Sequence, residues 1–470
     1  MAMKNVSRAA STLTKEAGDI SSVFPSLSGK KAPPLPPRYS DLKKRLIQGN
    51  EVAVTKSWQR LLSSLRGEVA EVRKKGNKVV ADVDFAAVQS GSVPQSFLDS
   101  IKHRGVGIVR NVIPRKYALE LKEKAFEYVA ANKDRVRAFP PDSPAVYELY
   151  WSPTQTLARG HPNMLKTQSF LTTLWHSSNP ASEISTTYPL AYADRIRIRQ
   201  PGDAKFALGP HTDGGSLERW EDPTYSKVYQ KILDGQWEQY DPYDARFRLD
   251  ANMDLYNGAG ACSMFRLFQG WMAMSSTGPG EGTLRVCPLL RHASAYQILR
   301  PFFNTTTNEL NLDTSDFPGS VQAAAQEYNP ETHPQLELQD TMISIPKVEP
   351  GDYVAWHCDT IHAVDAEHRG KGDSSVLYIP ACAMTKNNID FLKKQKDSAS
   401  VWSPPPDFPG AGGEGEKQYQ GKVDWSSNFL EPAAKRAMGF AGQGAFEIMP
   451  HMTVGEQKVV KEANRVLFGM

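Results

Sequence analysis

The 470-residue chain is long enough for one elaborated domain or two ordinary ones. Its 23% charged and 40% hydrophobic residues are the balance of a globular protein with a buried core. A net charge of +3 without a long Lys/Arg run argues against a nucleic-acid partner, and no apolar run reaches the ~18 residues of a membrane span.

The four cysteines (Cys262, Cys287, Cys358, Cys382) contain no CxxC pair, which argues for a reducing compartment and against a disulfide framework or a zinc-thiolate site. The N-terminus has Ser and basic residues but carries Glu16 and Asp19. A cytoplasmic tail is therefore its first reading and a mitochondrial transit peptide the second.

In chain order, residues 1–40 read as a flexible leader ending in the Pro-rich KAPPLPPRYS. Residues 41–470 read as a single elaborated domain, with a core at about 100–395. From 55 to 73, Trp58, Leu61, Leu62, Leu65, Val69 and Val72 recur at helical spacing. GVGIVRNVIP reads as a strand closed by Pro114, followed by a helical pattern. ADRIRIRQPGD alternates Ile with Arg, predicting a strand with one apolar and one basic face. Residues 217–257, rich in Trp, Tyr and Asp, read as an insertion with helical pieces.

A run of short strands follows, separated by Gly, Pro and Asp turns, and residues 396–470 read as a C-terminal extension ending in an amphipathic helix. The expected fold is mainly β with flanking helices, a sandwich or jelly roll inside a helical jacket.

The stretch GPHTDGGSLERW contains His211-Thr212-Asp213. With ten His in the chain, chance alone supplies on the order of one His-x-Asp triplet, and there are two, the other being His357-Cys358-Asp359. Context distinguishes them. A non-haem iron site needs two His and one carboxylate on one side of the metal. On extended chain, residues i and i+2 point the same way, so His211 and Asp213 supply two ligands. A third must come from a distant strand, and GDYVAWHCDTIHAVD offers His357 and His362. His362 is favoured because it opens the apolar piece Ile361–Val364 after the Gly-Asp strand. The competing view is that these His only cap turns or satisfy buried hydrogen bonds.

The order H-x-D, FQGWMAMSSTGPGEGTLRVCPLL, PGDYVAWHCDTIHAV resembles Fe(II)/2-oxoglutarate-dependent dioxygenases of the phytanoyl-hydroxylase-like type. RIRQPGDAKFALGPHTDGGSLERW and YIPACAMTKNN are similar more narrowly to the YbiU-like domain group. The resemblance covers roughly residues 100–395. It implies a double-stranded β-helix (cupin-like) core, iron held by His211, Asp213 and His362, and 2-oxoglutarate and O2 as cosubstrates. It also implies oxidation of an unactivated C–H bond by hydroxylation, desaturation or cyclisation.

Two departures stand out. The family places a basic residue about ten to fifteen positions after the distal His to hold the far carboxylate of 2-oxoglutarate. Here residues 372–377 read GDSSVL, leaving Arg369, Ser375 and Arg266 as candidates. Pro288-Leu289-Leu290-Arg291-His292 also replaces the Pro-Gly-Ser-His of many relatives.

Arg195, Arg197 and Arg199 share one strand face, and Arg199 in particular is a candidate for an anionic, amino-acid-like small molecule. Ile343 and Ile345 are candidates for an apolar pocket wall, and Tyr147, Tyr150 and Trp151 for its mouth. The alternatives are a cupin-like metal-dependent isomerase, which would use more His ligands, and a non-enzymatic binding protein. Oligomeric state is not encoded.

Overall fold

The computed structural model describes residue 24 and residues 33–205, 207–258, 261–408, 415–426, 430–440 and 445–470. Most of the leader read at 1–40 lies outside them, and its last residues already open the helix Arg38–Leu46.

In chain order the strands are β1 (Ala81–Asp84), β2 (Val106–Arg110), β3 (Ala138–Phe139), β4 (Val146–Tyr147), β5 (Ile184–Leu190), β6 (Ile196–Arg199), β7 (His211–Thr212) and β8 (Phe268–Ala273). After them come β9 (Leu284–Val286), β10 (Gln326–Glu327), β11 (Ile343–Ser344), β12 (Tyr353–His357), β13 (His362–Val364), β14 (Ser374–Tyr378) and β15 (Cys382–Thr385). An eight-stranded sheet has the order β1-β2-β12-β8-β14-β6-β4-β3, and a five-stranded sheet the order β10-β7-β13-β9-β11. β5 and β15 form a separate ribbon. Among the described strands only β1 and β2 pair in parallel, since the helices between them carry the chain back across the sheet.

Side-chain alternation makes the two large sheets face each other. Trp271 and Ala273 of β8, Trp356 of β12 and Val376 of β14 share one buried cluster with Leu284 and Val286 of β9. The intervening residues Phe268, Met272, Tyr353 and Leu377 point the other way. They pack with Ile101, Leu121 and Leu171 from the helices Gln95–Arg104, Arg115–Ala131 and Pro162–Thr172. Two sheets thus enclose an interior, and helices cover the outside of each.

The helix Glu51–Lys75 shares a buried cluster with Ala363 of the smaller sheet, and its apolar stripe is the predicted one with only Leu62 half-buried. Trp58 stacks on Phe303 with ring centroids 4.7 Å apart. Each such buried large side chain contributes about 1.5–3 kcal/mol. Residues 217–257 contain the expected helical pieces, Glu218–Glu221, Tyr225–Val228 and Gln230–Leu233.

The expectation of a mainly β chain needs correction, because helices hold more residues than strands and the architecture is mixed helix and sheet. Strands here are two to seven residues long, whereas single helices reach 25. Short alternating runs are conspicuous in the sequence, yet each contributes few residues. The strand Ile196–Arg199 does have one apolar and one basic face, but the basic face is buried: Ile196 and Ile198 meet the helices, and Arg197 and Arg199 point inward. Among the described residues no helix is long and apolar enough to cross a membrane.

Buried histidines away from the interior face, among them His292, His333 and His357, make the fold acid-sensitive. Burial pushes His292 down to about 4, and His333 and His357 down to about 3. The unfolded chain takes up these protons near pH 6.5, so their contribution is complete above that pH and is lost as pH falls toward 4. The thermal midpoint should therefore drop across that window, and His292→Gln should flatten part of the drop. An unchanged midpoint between pH 7 and 4.5 would contradict this.

Candidate metal centre

β7 lies between β10 and β13, and His362, the first residue of β13, is the register partner of His211. Directly paired residues project from the same face of a sheet, and Asp213 returns to that face two positions after His211. The two imidazole centroids are 4.1 Å apart. His211 Nε2 is 3.7 Å from Asp213 Oδ1, and His362 Nε2 is 4.0 Å from Asp213 Oδ2. One donor atom from each residue lies within 4.8 Å of the others, a separation that one ion with ligand distances of about 2.0–2.2 Å can bridge.

The second nitrogens are already committed. His211 Nδ1 donates to the Gly209 carbonyl at 2.7 Å and His362 Nδ1 to the Thr360 carbonyl at 3.0 Å. A carbonyl only accepts, so each ring carries its proton on Nδ1 and turns the Nε2 lone pair toward Asp213. Burial would raise the Asp213 carboxyl, but the Arg266 guanidinium and the Gln269 N–H help hold it well below the usual carboxylate range. Burial, with His211 adding to it, pushes His362 down to about 3. Two imidazoles with Nδ1 committed to carbonyls and Nε2 turned inward, together with one carboxylate, match a divalent first-row metal.

The turn after Asp213 is braced from several sides. Gly214 and Gly215 have φ of +78° and +86°, and a Cβ on Gly215 would come within 2.7 Å of the Met253 carbonyl. Arg219 donates to the carbonyls of Asp213 and Gly215, and the Tyr225 hydroxyl donates to that of Gly214. Gln269 Nε2 donates to Asp213 Oδ2 at 2.8 Å, and Arg266 Nη2 lies 3.4 Å from the same oxygen.

The three residues open onto a cavity between the sheets. Trp271, Leu284, Trp356 and Val364 give it an apolar wall, and Arg195, Arg197, Arg266 and Tyr378 a polar one. Phe24 packs edge-on against His211, with centroids 4.7 Å apart.

Of the residues proposed to hold 2-oxoglutarate, Arg266 lines this cavity, while Arg369 and Ser375 do not. Arg369 lies against Gly280, and Ser375 Oγ donates to Asp373 Oδ2 on the helix-covered side. Arg199 is also absent from the lining: it is spent on Asp203 and on the Asp365 carbonyl. Ile343 and Ile345 belong to the apolar packing between and behind the sheets. Of the aromatic trio, Tyr150 reaches the cavity, while Trp151 donates its indole N–H to the Ser403 carbonyl. Gln269, Arg219 and Phe24 were not anticipated. Alternation along FRLFQGWMA would have put Gln269 on the face of Trp271, but nothing in the sequence shows which face looks inward.

The other triplet is internally satisfied. His357 Nε2 donates to the Pro242 carbonyl and Nδ1 accepts from the Asp359 amide, so neither nitrogen is free. Asp359 is held by Arg248 at 2.5 Å.

Residues 33–440 match the Gig2-like family. The chain belongs to that family. This Gig2-like protein is 33% identical over 387 residues to YbiU of Escherichia coli (strain K12), covering 79% of this chain and 88% of that protein. The crystal structure of GlcNAc Inducible Gene 2 (GIG2) from Candida albicans superposes with a TM-score of 0.84 at 35% identity, covering 94% of this chain and 96% of the other. A Salmonella typhimurium LT2 protein whose name contains the word oxidoreductase superposes with a TM-score of 0.77 at 30% identity, covering 87% and 99% of the two chains.

Proposed function

We propose that this Gig2-like protein is a non-haem Fe(II)- and 2-oxoglutarate-dependent oxygenase acting on an unactivated C–H bond of a small, anionic or amino-acid-like molecule. The observation that carries the reading is the cavity-facing set His211, Asp213 and His362, with both Nε2 lone pairs turned inward. Two His and one carboxylate leave the remaining metal positions for cosubstrate and O2. The oxidoreductase name of the Salmonella relative supports the same class. On this reading the two facing sheets are the halves of an irregular double-stranded β-helix.

When bound, Fe(II) with 2-oxoglutarate supplies O2 activation coupled to decarboxylation of the oxoacid to succinate and CO2. The protein's own contribution is positioning. The Gly209 and Thr360 carbonyls fix the tautomers of the two His. Gln269 and Arg266 hold the Asp213 carboxylate in orientation and keep it ionised. Trp271, Leu284, Trp356 and Val364 exclude water from the side of the cavity they line. A cytoplasmic placement belongs to this proposal, and neither nucleic acid nor membrane is proposed as a partner.

The test is succinate release by the Fe(II)-loaded protein with 2-oxoglutarate, screened against amino acids and other small acids. Substrate-stimulated release is the expected result. Failure of the anaerobic Fe(II) and 2-oxoglutarate complex to give a visible charge-transfer band would sink the proposal.

A further inference from the structure

Arg197 is 1% exposed and lines the cavity shared with His211, Asp213 and His362. Its Nε and Nη2 meet no hydrogen-bond partner. A guanidinium stays charged and carries five N–H donors in a flat fork. Leaving two of them unmade in a buried place costs desolvation with no return. The neighbouring arginines are provided for differently: Arg199 is taken up by Asp203 and the Asp365 carbonyl, and Arg195 by Asp194. Tyr378 lies against Arg197, and Arg199 adds like-charge repulsion. A buried fork with two unmade donors, on a residue that lines a cavity, is a site for a planar anion.

The fold explains why the fork stands there. Arg197 on β6 is the register partner of Val376, inside the 372–377 window that holds no basic residue. Tyr378, two positions on, is the register partner of Trp271. Trp271 in turn lies two residues from Gln269, which holds Asp213. Two residues along a strand span about 6.6–6.8 Å. The row therefore runs along the inner face from Gln269, which holds Asp213, to Tyr378 and Arg197.

We infer that Arg197, with Tyr378 beside it, is the carboxylate fork of this cavity, binding the far end of a dicarboxylate whose other end reaches the metal set. That the ligand is 2-oxoglutarate rests on the oxygenase reading; the fork does not. Arg369 and Ser375, outside the cavity, then have no part in binding it.

The experiment measures binding by calorimetry without turnover, using full-length protein loaded with Mn(II) under anaerobic conditions. The probes are 2-oxoglutarate and 2-oxobutyrate, which lacks the far carboxylate. The wild type should bind 2-oxoglutarate at least about tenfold more tightly. Arg197→Met and Arg197→Lys should erase that preference while leaving 2-oxobutyrate affinity unchanged.

Thermal melts separate this role from a structural one. Losing an unpaired buried charge should keep or raise the ligand-free midpoint of Arg197→Met, while its increase on adding 2-oxoglutarate disappears. A variant that retains the preference overturns the fork and leaves the oxygenase reading standing. A wild type that binds succinate through Arg197 but neither oxoacid supports the fork and removes the oxygenase reading. A wild type that binds no dicarboxylate overturns the fork.

Discussion

His211→Ala should lower Fe(II) affinity by more than about 100-fold, the upper range for losing even an outer partner of a metal ligand. It should also abolish the visible band of the anaerobic Fe(II) and 2-oxoglutarate complex. The expectation follows from geometry, since His211 supplies one of three donors and no other His, Cys, Asp or Glu among the described residues joins the set. With His211 gone, Asp213 and His362 offer two donors, too few to hold iron against water. The far-ultraviolet circular dichroism should not change, because β7 contributes only two residues to its sheet. Equilibrium dialysis with Fe(II) or Mn(II) gives the affinity directly. Survival of the band in this variant would remove the metal assignment altogether.

Asp359→Ala should do the opposite, destabilising the fold by about 3–5 kcal/mol while leaving metal affinity as it was. Asp359 and Arg248 are both 2% exposed and 2.5 Å apart, and the hydroxyls of Tyr229 and Tyr240 donate to the same carboxylate. Burial opposes its charge, but Arg248 and His357 hold Asp359 well below the usual carboxylate range. Removing it leaves the Arg248 guanidinium buried without its counter-ion, the costly half of breaking such a pair. Beside it, His357 stacks on Trp175 with centroids 4.7 Å apart and an interplanar angle of 5°. Urea titration followed by tryptophan fluorescence measures the loss. A folded Asp359→Ala protein that no longer binds iron would assign the metal to the wrong triplet.

These two variants turn on a distinction that spacing alone does not make. Both triplets read His-x-Asp, and both come together as compact groups of donor atoms. The first faces a cavity with its Nε2 atoms open, whereas in the second every nitrogen and the carboxylate are already bonded. The strand context made His211, Asp213 and His362 legible, because each sits at the end or start of a short apolar run bounded by turns. The role of His357 was equally visible as a question. Its answer depended on Pro242 and Trp175, more than a hundred residues away.

By itself the sequence determined the local matters. It specified the helical stripe from Trp58 to Val72, the Ile/Arg alternation of residues 196–199, the Gly pair that lets the chain leave Asp213, and the i, i+2 geometry placing His211 and Asp213 on one face. Those follow from side-chain period and backbone sterics, which act over a few residues.

Only the tertiary structure decided which face of each strand looks inward, and so which arginine is open. Arg195, Arg197 and Arg199 are equivalent by alternation, yet Asp194 takes the first and Asp203 with the Asp365 carbonyl the last, leaving Arg197 with two buried donors unmade. Strand order did the same for the anion end of the site. β14 lacks a basic side chain, but β6 lies beside it, and a hydrogen-bonded neighbour is only about 4.8 Å away however distant it is along the chain. Pairing between strands nearly 180 residues apart is a property of the sheet, and no local pattern in the chain records it.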